Sequence, residues 1–159
     1  MDVTQLREHI IKPSIMMLGE KSDALVNLLL GTAAQESHLG EWIVQQGLGL
    51  NGGIGIYQME AATYHYTYTK HVEKSVAMKA KFRLFFGYEG KPQAARLASD
   101  TLLATVMARL YYSNFPEPLP DANDVKALAY YWKKYWNTDL GKGYPEQFMK
   151  NYNKYVLKI

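Results

Sequence analysis

Apolar positions along this chain recur mostly at helical spacing, three and four residues apart, and no run of β-branched alternation is long enough to specify a strand. The pattern predicts a mainly α fold. A first helix runs from Val3 to Ile11 and should end at Pro13. A second starts at the N-cap candidate Ser22 and carries Leu25, Leu28, Leu29 and Thr32 on one stripe toward Glu36, which makes it the deepest element. Between Gly40 and Gly55 lie Gly40, Gly47, Gly49, Gly52, Gly53 and Gly55, half of the 12 glycines in the chain. That density forbids a regular helix and predicts an irregular loop or a small hairpin. Helices are then expected from Ala61, around Glu73 to Phe85, and from Gln93 to Tyr112, where Ala95, Leu102, Val106 and Leu110 suit a buried face. Pro116 and Pro118 stop that last one. Asp121 or Asn123 can cap a helix to about Trp136, Gly141 and Gly143 break it, and Pro145 opens a final helix to about Val156. There is no internal repeat and no linker, so residues 1–159 read as one domain.

Composition narrows the chemistry. With 48% apolar and 21% charged residues in 159, the chain is outside the disordered, collagenous and coiled-coil classes. No Cys is present, which removes disulfides, thiol nucleophiles and Cys-rich zinc sites. His38 with His65 or His71 has no recognised metal-binding spacing, so no metal or cofactor is expected. A net charge of +3 and a pI near 8.9 favour contact with polyanions without requiring it, and nothing further indicates nucleic acid. From Lys126 onward seven Lys face only Asp139 and Glu146; this is a solvated surface or an attraction to an anionic wall or nucleic acid. The longest apolar run, Ala24 to Leu30, is interrupted by Asn27, so no membrane span is expected. The first residues lack a basic segment followed by an apolar stretch, so the chain should be made in the cytoplasm without a secretory signal.

No G-x-S-x-G or phosphate-loop pattern occurs, which leaves the carboxylates as candidate reactive groups. Most of them fall on polar helix faces or at caps. Glu36 differs, because it follows the apolar stripe of the second helix and precedes the Gly-rich segment, where a buried helix would open into a cleft. A carboxyl walled by apolar groups keeps its proton toward neutral pH and can donate it to a leaving oxygen.

Gln35-Glu36-Ser37, followed by Gly55-Ile56-Tyr57-Gln58-Met59 and Ala62-Thr63, resembles the first two motifs of the soluble lytic transglycosylases and goose-type lysozymes, enzymes that cleave peptidoglycan. Asp100-Thr101-Leu102-Leu103-Ala104 with Arg109-Leu110-Tyr111-Tyr112 is similar to a third family helix, and Ala127-Leu128-Ala129-Tyr130-Tyr131 to a fourth motif. The departures are Ala61 in place of a Pro, Asp100 in place of an Asn, and Tyr131 where the family carries an Asn. The segment from Tyr130 to Thr138 resembles bacteriophage and prophage lysozyme-like proteins.

The resemblance implies a lysozyme-like fold with the Gly-rich segment beside an active-site cleft. It implies cleavage of the β-1,4 bond between N-acetylmuramic acid and N-acetylglucosamine by Glu36 as general acid and base, giving a 1,6-anhydro product. Ser37 and Gln58 would orient Glu36 or the sugar, and Tyr57, Met59, Tyr130 and Tyr131 would line the groove. A hydrolytic lysozyme of the same fold would need a second carboxylate, for which Glu41 and Asp100 are the candidates; Glu60 reads instead as the cap of the helix starting at Ala61. The implied partners are peptidoglycan glycan strands and, for a phage chain, other virion or tail proteins, with the cell wall as the place of action and an endolysin or a virion-associated lysin as the role. A reading from a different class is a non-catalytic saccharide-binding or virion structural module.

Overall fold

In the computed structural model, which describes residues 1–159, Asp2 opens the chain's first helix by accepting from the amides of Thr4 and Gln5 and so capping α1 (Val3–Leu6). A π-turn at Arg7–Ile11 leads directly into α2 (Lys12–Met17). The expected stop at Pro13 does not occur. Its ring falls at the start of α2, directly after the π-turn, and the widened turn ahead of it makes room for the ring without breaking the helical run.

α3 (Asp23–Ser37) begins at Ser22, whose Oγ accepts from the Leu25 amide. Ten of its fifteen residues are buried, and Leu25, Leu28, Leu29 and Leu30 are fully enclosed. The apolar stripe read from the sequence therefore extends almost round the helix, as suits an element packed on several sides. Gly31 is one reason this packing is possible: a Cβ there would run into the ring of Phe148. The chain then forms an antiparallel hairpin of β1 (Val44–Gln45) and β2 (Gly49–Ile54), with Val44 opposite Ile54, Gln45 opposite Gly49, and an irregular register between the two pairs.

α4 (Ala61–Tyr68) continues as a π-turn over Thr69–Glu73, and α5 (Val76–Phe86) starts afresh because the Ser75 hydroxyl accepts from the Met78 amide. The single helix expected from Gln93 to Tyr112 is divided. Ala94–Ala98 is 3₁₀, and α6 (Thr101–Tyr112) restarts at Asp100, whose Oδ1 accepts from the Leu103 amide. α7 (Val125–Trp132) is capped by Asp124, one residue beyond the expected cap, and passes into a π-turn at Lys133–Asn137. α8 (Pro145–Asn151) opens with Pro145 and runs on through Tyr152–Leu157.

One cluster of 35 buried apolar residues joins these elements, with α3 packed against α6, α7 and α8. No helix is long and apolar enough to cross a membrane.

Candidate active site

The last turn of α3 delivers Glu36 to a cleft of about 890 Å³. Neighbouring contacts fix that turn. The Ser37 hydroxyl donates to the Ile56 carbonyl at 2.6 Å and accepts from the Gly40 amide at 2.8 Å, tying the helix end to the strand return that carries Gln58. His38 closes the helix in the left-handed conformation, φ 50°. Two indoles then address Glu36: Trp42 Nε1 donates to its backbone carbonyl at 3.1 Å, and Trp132 Nε1 to its carboxyl Oε1 at 2.9 Å. Oε2 has no hydrogen-bond partner within the protein.

Burial pushes the Glu36 pKa up to about 7, and the Trp132 hydrogen bond opposes part of that rise. No neighbouring charge contributes. The carboxyl is thus poised between its neutral and ionised forms near neutral pH, the condition that general acid and base chemistry needs.

Gln58 and Met59 line the cleft. Gln58 is held at φ 48°, and both its amide and its Nε2 donate to the Gly55 carbonyl, at 3.0 and 2.9 Å. Gly55 sits at φ 76° against the Leu97 carbonyl, which a Cβ would strike, so this turn requires glycine. Gln58 is therefore a loop brace that also faces the cleft. The cleft is lined as well by Tyr111 of α6 and by Trp136 and Asn137 of the turn after α7. Lys133 secures that rim: its Nζ donates to Asn137 Oδ1 at 2.6 Å, to the Thr138 carbonyl at 2.9 Å and to the Gly141 carbonyl at 3.0 Å.

The other sequence-selected residues lie elsewhere. Ser37 and Tyr57 are buried braces behind the cleft, with the Tyr57 hydroxyl accepting from Thr105 and its ring beside Trp136. Tyr131 is buried against Tyr112 and Tyr135, and its hydroxyl donates to the Glu117 carbonyl. Tyr130 is 52% exposed and is no part of the cleft wall. The reason is angular. Each helical step turns by about 100°, so Trp132, not its neighbours, faces Glu36, and Trp136, four residues on, shares that side.

Neither proposed second carboxylate reaches the cleft. Glu41 pairs with His38 Nδ1 at 3.3 Å in an exposed position, while Asp100 caps α6 and accepts from the Tyr88 hydroxyl at 2.9 Å. Glu60 does line it: it occupies the N-cap position of α4, but its side chain makes no capping hydrogen bond. Sequence reasoning missed Trp42, Trp132, Tyr111, Trp136 and Asn137. Trp132 and Trp136 lie in the aromatic-rich stretch after Leu128, whereas Trp42 and Tyr111 lie outside it, and no motif marks any of the four.

Comparison of the chain with family models, with curated proteins and with solved structures gave no match.

Proposed function

We propose that this protein cleaves the β-1,4 bond between N-acetylmuramic acid and N-acetylglucosamine in peptidoglycan, acting as a lytic transglycosylase with Glu36 as its one acid and base. The observation that carries the reading is Glu36 itself, a carboxyl with pKa near 7 on the wall of an open cleft. The order of the Gln35-Glu36-Ser37 and Gly55-to-Met59 motifs supports it independently. Protonated Glu36 gives its proton to the glycosidic oxygen as the bond to the muramic C1 breaks, leaving an oxocarbenium-like sugar. The carboxylate then takes the proton of the C6 hydroxyl, whose oxygen bonds to C1 and closes the 1,6-anhydro ring. Glu36 ends protonated, as it began, and no water is consumed.

The lining suits a glycan. Tyr111 and Trp136 supply aromatic surface for sugar C–H groups, and the amides of Gln45, Gln58 and Asn137 match hydroxyl and acetamido groups. No Lys, Arg or His lines this cleft; its acidic side chains are Glu36 and Glu60, and the remaining lining is neutral. Carried on a phage particle or released as an endolysin, the protein would act at the host wall.

Glu60 favours a second reading. It is the other carboxylate on the cleft, and an inverting lysozyme would use such a group, set about 6.5 to 9.5 Å from the acid, to activate a water held between it and the sugar. Mass spectrometry of the products from purified sacculi separates the two. Fragments lighter by one water, with Glu60→Gln retaining that product, are expected; reducing muramic ends whose formation needs Glu60 would make the enzyme a hydrolase. Intact sacculi with wild-type protein would refute both.

A further inference from the structure

α5 is apolar on two opposite sides. Its inner side sends Met78, Phe82 and Phe86 against the body, with Phe82 fully buried and ringed by Tyr68 and Phe86. At about 100° per residue, Val76, Ala77, Ala80 and Leu84 share one arc on the opposite side. All four are exposed, Val76 at 82% and Leu84 at 90%. Lys79 and Arg83 flank that arc on one edge and Lys81 on the other, all three exposed. Val76–Phe86 contains no Asp or Glu, and Lys74 adds a fourth cation just before the Ser75 cap.

Val76 and Leu84 bury almost nothing within the fold, and no acid within α5 offsets the flanking bases. A stripe of aliphatic side chains edged on both sides by cations matches a surface that is apolar within and anionic at its boundary, which is the profile of a bilayer rich in acidic headgroups. We propose that α5 lies in the interface of an anionic lipid membrane, with Val76 and Leu84 inserted and Lys79, Lys81 and Arg83 at the headgroups. A wall polyanion such as teichoic acid would engage the cations and leave the aliphatic stripe without purpose. This reading is independent of Glu36 and of any cleavage activity.

Sedimentation of the full chain with vesicles of phosphatidylcholine, with and without one-third phosphatidylglycerol, tests it. Binding is expected only to the anionic vesicles and should weaken at high salt. Replacing Lys79, Lys81 and Arg83 by Gln should lower the partition by about a hundredfold, taking about fivefold per cation. The double variant Val76→Ser, Leu84→Ser should lower it by at least about tenfold through lost apolar burial. Because these five side chains are exposed, circular dichroism and melting temperature should stay at the wild-type values. Three results would overturn the proposal: no binding to anionic vesicles; binding that depends on the cations but not on Val76 and Leu84, which marks a polyanion site; or self-association in sedimentation equilibrium that the serine variant abolishes, which makes the face a contact between copies.

Discussion

Glu36→Gln should make this protein more stable at alkaline pH, and by a magnitude the structure sets. The Glu36 pKa is raised from 4.5 to about 7 by burial, so folding favours the protonated form. Below pH 4.5 the carboxyl is neutral in both folded and unfolded chains, and the group carries no penalty. As pH rises the unfolded chain ionises first, and stability falls until the folded pKa is passed. With about 1.4 kcal/mol per pKa unit, the loss is about 3 kcal/mol by pH 8, a large share of a typical domain's stability. Gln copies the neutral form, keeps an oxygen for the Trp132 N–H, and does not titrate. Urea unfolding of both proteins from pH 4 to pH 9 should give curves that nearly coincide in acid and separate to about 3 kcal/mol in base, with the variant above. A constant offset at every pH, or a variant less stable in base, would refute the claim that burial holds this carboxyl neutral. In the same preparation, wall cleavage should drop by at least about a hundredfold, the lower range for loss of a general acid.

Other perturbations test separate contacts. Trp132→Phe removes the donor to Oε1, a bond worth about 1.5 kcal/mol to the charged form, so the alkaline limb of the pH–activity profile should move up by about one unit; an unmoved limb would mean that the bond does not tune the acid. Gly31→Ala should destabilise by at least about 2 kcal/mol through overpacking against Phe148, and Phe148→Leu in the same chain should recover part of that, as read by thermal unfolding. Lys133→Met strips three hydrogen bonds from the Asn137–Gly141 rim; hydrogen exchange should quicken there and KM should rise, with little change at α3.

How far the sequence discloses this site depends on the range of the forces involved. The end of α3 and the glycine-dense hairpin are local matters, set by the Ser22 cap, helical periodicity and residues that need positive φ, and both appear where the pattern puts them. The elevated Glu36 pKa follows from its place at the end of a buried stripe. What escaped was azimuth and competition. Trp132 rather than Tyr130 or Tyr131 meets the acid, because one residue of helical rotation decides it and the π-turn after α7 carries Trp136 onto the same wall. Asp100 and Glu60 are both at N-caps. The Asp100 carboxylate takes the Leu103 amide, the Glu60 carboxylate leaves its helix end alone, and residue type and position do not distinguish the two outcomes. Pro13 misleads for a related reason, since the π-turn at Arg7–Ile11, ending two residues before it, accommodates its ring.

The two oxygens of Glu36 are not equivalent. With Oε1 occupied as acceptor of the Trp132 N–H, the hydrogen of the neutral acid belongs on Oε2, the oxygen without a protein partner. A carboxyl held this way gives up and takes back its proton at a single atom, with no rotation of the side chain between the two events. In a reaction where one residue must act first as donor and then as acceptor, the leaving oxygen and the incoming hydroxyl must then occupy nearly the same place in turn. In the proposed cleavage that constraint would fall on the sugar, which would have to move its C6 oxygen to where the departing strand's oxygen had been.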